Sequence, residues 1–301
     1  MLTLCSYSGI NKNKIRTYVM EPCTASLPDT ALARVVDLLR SDRIAVPACV
    51  GTGAAEIDDA LPWGGLPRGL HEIAGAAGDA AKVGFAASLA GRRSGDGGRP
   101  ILWCRPRRVA LAAGDPYGPG IANLGLSPDA LILVEADKPA DLLWAMEEGA
   151  RTKGLAAVVA EGVTPNLTAS RRLQLAAEAG DALVLLLPTG RQAAPSSALT
   201  RWFVRALPSL QEAGGPGLPR WQIALWRCRG GGRLGEWTVE WDDAAFSLSV
   251  VPQLADRPPA AAGRDDIGPI GADGTRAGRQ PADGGRPDSG AVRPFRRHAV
   301  G

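Results

Sequence analysis

Histidine is almost missing from this chain of 301 residues, with only His71 and His298 present. That leaves little for histidine-based acid–base catalysis or for a histidine-rich metal centre. The five cysteines, Cys5, Cys23, Cys49, Cys104 and Cys228, are an odd and scattered set without a Cys-x-x-Cys pair. Neither a disulfide framework nor a zinc site is indicated, and no metal is expected. No apolar run reaches the roughly 18 residues of a membrane span. Met1–Val19 carries Lys12, Lys14 and Arg16 and lacks the unbroken apolar stretch of a secretory signal, so a cytoplasmic location is expected.

The middle of the chain also lacks a net charge of either sign. The formal charge of the whole is +3, but the positive excess sits at the ends: residues 1–20 hold three Lys/Arg and no acid, and residues 252–301 hold eight Arg against six Asp. The 231 residues between them carry 23 basic and 25 acidic side chains. A core so balanced has no overall field for gripping a nucleic acid backbone, so direct DNA contact is expected to be weak or indirect.

What is present reads as one α/β domain with extensions. Residues 1–28 are read as an irregular extension, with Met1 and Met20 as alternative starts, 29–251 as the core domain, and 252–301 as a tail. The tail is rich in Gly, Pro and Arg with almost no large apolar residue before Phe295, too little to offset chain entropy, and is expected to be disordered. Within the core, Asp29 caps an expected helix to about Arg40. Ile101–Cys104, Leu155–Ala160 and Ala182–Leu187 read as buried parallel strands, and Asp141–Arg151 and Thr168–Gly180 as helices, with Thr168 as the cap. A further helix is expected over Ser197–Leu207. Beyond it, period-two alternation predicts antiparallel strands at the sheet edge: Trp221, Ile223 and Leu225, then Trp237, Val239 and Trp241, then Phe246, Leu248 and Val250, with Gly230–Gly232 as a turn. The tryptophans fall on the apolar positions and are expected in the core.

The most informative segment runs from Gly75 to Val83. Leu70–Ala74 enters it as a strand would, and Lys82–Ala90 leaves it as a buried helix would. Strand, glycine loop, helix is the setting of a phosphate-binding P-loop, in which Gly, four residues and Gly-Lys-Ser/Thr supply backbone N–H groups, a phosphate-binding ammonium and a magnesium-binding hydroxyl. Counted from Gly75, those last three positions hold Ala80, Ala81 and Lys82. Gly78 and a displaced Lys82 remain, and Ala80 leads us to expect a collapsed loop.

The run Glu56–Ile73, with Gly64-Gly65-Leu66-Pro67-Arg68-Gly69 at its centre, resembles the start of the RecA ATPase core. Together with Asp141–Glu148 and Leu167–Ala176 it resembles the ImuA family, RecA-like proteins of a bacterial DNA-damage-induced mutagenesis cassette. The resemblance covers roughly residues 30 to 251 and implies a RecA-like core: a mostly parallel central sheet flanked by helices, with antiparallel strands at one edge.

It also implies where ATPase residues should lie. The magnesium-binding Asp at the end of its strand is replaced by Ala160 and then Glu161, which fits that role only if the strand slips by one residue. Arg105-Pro106-Arg107-Arg108 stands where the catalytic glutamate belongs, and Gln192 lies near the position of a nucleotide-sensing glutamine. Gly75, Gly78, Lys82, Glu161 and Gln192 are therefore read as a vestigial nucleotide site, with no catalytic residue and no cofactor. The implied role is that of a non-enzymatic accessory of error-prone translesion synthesis in the SOS response. Its implied partners are ImuB, an inactive Y-family polymerase relative, and an error-prone replicative-type polymerase, with RecA-type self- or hetero-association also open. Arg171, Arg172, Arg201, Arg205, Arg227, Arg229 and Arg233 are the candidate partner or DNA contacts. Two other functions stay open at this point: an ATP-dependent RecA-like recombinase or DNA-stimulated ATPase, and a SulA-like inhibitor of cell division.

Overall fold

The computed structural model describes residues 4–7, 16–20, 49–95, 98–189, 195–210 and 217–252, the first two segments as backbone only. All belong to one compact unit, Met1–Gln253. The expected helix 29–40 and the tail beyond Pro252 lie outside the described residues.

Eleven strands form one sheet. In chain order the elements are β1 (Leu4–Tyr7), β2 (Arg16–Met20), β3 (Cys49–Val50), α1 (Ala55–Asp58), β4 (Leu66–Pro67), β5 (Gly69–Ala74), α2 (Ala81–Ser94), β6 (Ile101–Pro106), α3 (Arg107–Ala113), α4 (Gly118–Ala122), β7 (Leu131–Ala136), α5 (Pro139–Arg151), β8 (Ala157–Glu161), α6 (Leu167–Gly180), β9 (Leu183–Leu187), β10 (Thr200–Leu207), β11 (Arg220–Cys228), β12 (Gly235–Asp242) and β13 (Ser247–Val250). The sheet order is β1-β2-β7-β6-β8-β9-β5-β10-β11-β12-β13, and β3 pairs with β4 apart from it. The strands from β7 to β10 in that order run parallel; β1 and β2 at one end, and β11 to β13 at the other, are antiparallel.

Two cores explain the strand sequences. On one face Phe85 and Leu89 of α2 pack on Ile73, Val159, Leu185, Trp202 and Val204. On the other, Leu142 and Met146 of α5 and Leu173 of α6 pack on Cys104, Val158, Val184 and Leu186. Each central strand feeds both faces, hence the unbroken apolar runs of β8 and β9. Trp202 is fully buried edge-to-face against Phe85 at 5.9 Å, and Trp221 stacks on Trp241 at 6.3 Å.

Several expectations are corrected here. Residues 1–28, read as irregular, contain β1 and β2, which extend the sheet beyond β7. Thr200–Leu207, read as part of a helix, is β10, paired in parallel with β5 and antiparallel with β11. The α6 cap is Asn166, whose side chain accepts from the N–H of Ala169 at 2.9 Å, and Thr168 lies inside the first turn. Phe246 does not continue the face of Leu248 and Val250; it sits before β13 with φ +47° and is 45% exposed. Among the described residues no helix is long and apolar enough to cross a membrane.

Candidate functional site

The carboxyl ends of β5, β6, β8 and β9 meet at one end of the sheet, where open α/β sheets hold their ligands. A cleft of about 950 Å³ lies there, bordered by the glycine loop, the ends of these strands and the α3–α4 connection. Gly75 follows β5 at a close approach: a Cβ on it would lie 2.8 Å from the Val204 carbonyl oxygen. Gly78 has φ +76°, which glycine adopts without strain.

The loop carries its own anion. One oxygen of Asp79 accepts from the N–H of Ala81 at 2.9 Å, in the first turn of α2, and the other accepts from the N–H of Ala206 on β10 at 3.0 Å. A carboxylate at this end of a helix is favoured by the exposed N–H groups and the helix dipole. Ala80 occupies the N-cap and offers no side-chain hydrogen bond of its own.

Lys82 leans across the loop toward β9, its ammonium 3.4 Å from the Pro188 carbonyl oxygen. Burial lowers its pKa, opposed by the carboxylates of Glu161 and Asp79. Glu161 reaches the same cleft without any strand slip, because it shares the α2 face of β8 with Ala157 and Val159. Its Oε1 accepts from the indole N–H of Trp103 at 2.8 Å. Burial raises the Glu161 pKa, opposed first by that hydrogen bond and then by Arg105 and Lys82.

Arg105, expected as an obtrusive cation where a carboxylate belongs, is a locked structural group. It sits on β6 opposite Glu135 of β7 and donates to Glu135 Oε1 through Nε at 3.0 Å and Nη2 at 2.7 Å. It also donates to the Gly114 carbonyl at 2.7 Å and to Asp115 at 3.0 Å, fixing the α3–α4 connection over the cleft.

The structure thus brings Gly75, Gly78, Lys82 and Glu161 together; Gln192 lies outside the described residues. The seven arginines do not all converge: Arg201, Arg227 and Arg229 meet at Ser196–Ser197, and the others lie elsewhere. Arg172 pairs with Glu147 at 2.6 Å and Arg201 with Glu72 at 2.6 Å. Arg205 donates to Gln222 across β10 and β11, and Arg227 and Arg229 donate to the carbonyls of Ser196 and Ser197. Arg171 is exposed on α6, and Arg233 is exposed with its backbone N–H donating to the Ala60 carbonyl. Asp79 and Trp103 were not anticipated. The signal for Asp79 was available: an acid beside a glycine just before a helix start is a capping residue, and here it stands inside the loop that would cradle phosphate.

These residues do not fit a magnesium nucleotide. Asp79 places negative charge on the Ala81 N–H at the start of α2, where phosphate would bind, Ala80 and Ala81 stand at the expected Gly and Lys positions, and Lys82 stands at the expected hydroxyl. The strand order, the loop after β5 and the helix that follows define a RecA-like α/β protein. No family model matches the chain. Protein ImuA of Caulobacter vibrioides strain NA1000 / CB15N and Protein ImuA of strain ATCC 19089 / CIP 103742 / CB 15 are each 36% identical to it over 230 residues, spanning 70% of this chain and 91% of theirs. The chain belongs to the ImuA family.

Proposed function

We propose that this protein is a non-hydrolysing accessory factor of DNA-damage-induced, error-prone translesion synthesis. In this reading it assembles with ImuB and an error-prone replicative-type polymerase, and its RecA-like fold serves as a scaffold. Family membership supports the setting, and the carboxylate of Asp79 on the first turn of α2 supports the loss of ATP chemistry. Phosphoryl transfer relies on a positioned Lys, a metal and an oriented water, each contributing orders of magnitude in rate. Here the ammonium leans on the Pro188 carbonyl oxygen, 3.4 Å away, with the carboxylates of Glu161 and Asp79 favouring its charge, and the guanidinium of Arg105 is consumed by Glu135 and Asp115.

Two measurements test the reading. MgATP at millimolar concentration is expected to give no saturable binding by calorimetry and no turnover above buffer, with or without single-stranded DNA. Tagged protein is expected to retain ImuB on a pull-down in the absence of nucleotide. Turnover that disappears in Lys82→Ala, or failure to retain ImuB, overturns it.

A further inference from the structure

One wall of the cleft is only lightly joined to the body of the domain. Arg107–Pro116, which is α3 and the turn after it, lines the cleft with Val109, Ala112, Gly114 and Asp115 among others. No residue of this stretch is buried. A helix of seven residues is too short to stand on its own hydrogen bonds in water, and α3 buries nothing that could hold it. The segments on either side differ. β6 is paired along its length with β7, and α4 is fastened by Ile121 and Leu124, which pack against the core, and by the indole of Trp241, which donates to the Asn123 carbonyl at 2.8 Å.

What holds the stretch is chiefly polar. Among the described residues its side-chain hydrogen bonds to the rest of the chain come from two arginines. Arg105 donates to the Gly114 carbonyl at 2.7 Å and to Asp115 at 3.0 Å, and Arg108 donates to the Gly162 carbonyl at 3.1 Å. Val109 adds an apolar contact at the same glycine, where a Cβ would lie 3.0 Å from its Cγ2. The two halves of the Arg105 tie are unequal. Inward, its side chain is 3% exposed and is fixed by the equally sheltered Glu135 through bonds that do not involve the stretch. Outward, the Asp115 side chain is 62% exposed, so water can take its place at small cost. Parting there leaves Arg105 paired with Glu135 and the sheet intact.

We infer that Arg107–Pro116 is a flap that opens as one unit while the sheet beneath it stays folded, with Arg105 as its latch and Asp115 as the half of the latch that lets go. Opening removes one wall of the cleft and uncovers the floor around Trp103 and Glu161. The inference goes beyond the accessory reading and stands or falls apart from it.

The test is hydrogen exchange of the full chain, read from the millisecond range onward by mass spectrometry of its peptic peptides. Amides of residues 108–115 are expected to exchange roughly a hundredfold or more faster than those of β8 and β9. Asp115→Ala is expected to speed them about tenfold further and to leave β8 and β9 unchanged, as the loss of one charge-assisted hydrogen bond implies. Asp115→Asn, which keeps an acceptor oxygen without the charge, should fall between. Asp129→Ala serves as the control, since Asp129 is exposed and forms no hydrogen bond or ion pair through its side chain among the described residues. Protection of 108–115 equal to that of β8 would make α3 part of the rigid body and overturns the inference. Acceleration by Asp115→Ala no greater than by Asp129→Ala also overturns it, because Asp115 would then hold nothing. So does acceleration that spreads to β8 and β9, which would make the Arg105 cluster a support of the whole sheet.

Discussion

His71 is completely buried at the heart of the sheet, and its hydrogen bonds define one tautomer. Its Nε2 lies 2.9 Å from the Pro67 carbonyl and must donate to it, so Nδ1 accepts from the Thr200 hydroxyl at 2.7 Å, while the indole of Trp202 donates to that hydroxyl at 2.6 Å. The relay has no place for a second ring proton, and burial pushes the imidazole down from 6.5 to about 4. The unfolded chain takes up a proton near pH 6.5 and the native state only near pH 4, so acid favours unfolding throughout that window. The contribution is complete above about pH 6.5 and is lost progressively toward pH 4, on the order of 3 kcal/mol. Urea midpoints measured across this range should fall for the wild type and fall less for His71→Gln, which cannot titrate; parallel curves would show that acid acts elsewhere. Asp79 offers a second residue-scale test. Asp79→Ala removes the acceptor for Ala81 and Ala206 and should cost roughly 1 kcal/mol in denaturant unfolding without creating MgATP binding, because the hydroxyl and the Lys position are still absent.

At the scale of elements, much was legible wherever one physical signal dominated. The continuous apolar run of β9 and the Gly-punctuated passage from β5 to α2 identify themselves. Ser197–Leu207 misled because Leu199, Trp202, Phe203 and Ala206 recur at helix-like intervals. The true period is two: Thr200, Trp202 and Val204 are buried while Arg201, Phe203 and Arg205 point the other way, and pairing with β5 and β11 on both sides enforces it. That Glu161 reaches the cleft without a slip of the strand is hidden for a related reason, since the alternation of β8 becomes visible only once α2 is seen to cover Ala157 and Val159. The ion pair of Arg105 is hidden in the sequence because its partner Glu135 is 30 residues away and becomes adjacent only through the β6–β7 register. Close helix packing was equally hidden. A Cβ on Gly180 at the end of α6 would lie 2.0 Å from the Ala150 carbonyl oxygen of α5, so Gly180→Ala must push two helices apart. A loss of about 1 to 3 kcal/mol is expected, seen as a melting temperature lower by several degrees; an unchanged value would mean the α5–α6 contact yields freely.

The whole molecule presents its charges in a way that bears on nucleic acid. Affinity for a phosphate backbone requires several cations free to displace condensed counterions. The balanced middle of the chain supplies few. Arg172 and Arg201 are paired with Glu147 and Glu72, Arg220 faces Glu240 at 3.5 Å, and Arg227 and Arg229 are turned onto backbone carbonyls of the Ser196–Ser197 loop. At the antiparallel edge Trp226 is stacked on Phe203 at 4.6 Å and 5° and so offers bases at most one face. The basic excess lies instead in residues 1–20 and 252–301. Labelled oligo(dT) at physiological salt is therefore expected to bind the full chain no tighter than the micromolar range. Its salt slope should reflect only a few phosphate contacts, and charge reversal at Arg227 and Arg229 should leave the affinity unchanged. Nanomolar binding, or a marked loss on that reversal, would mean that the guanidinium groups leave their carbonyl partners to grip the strand, and the antiparallel edge of the sheet would then be a DNA surface.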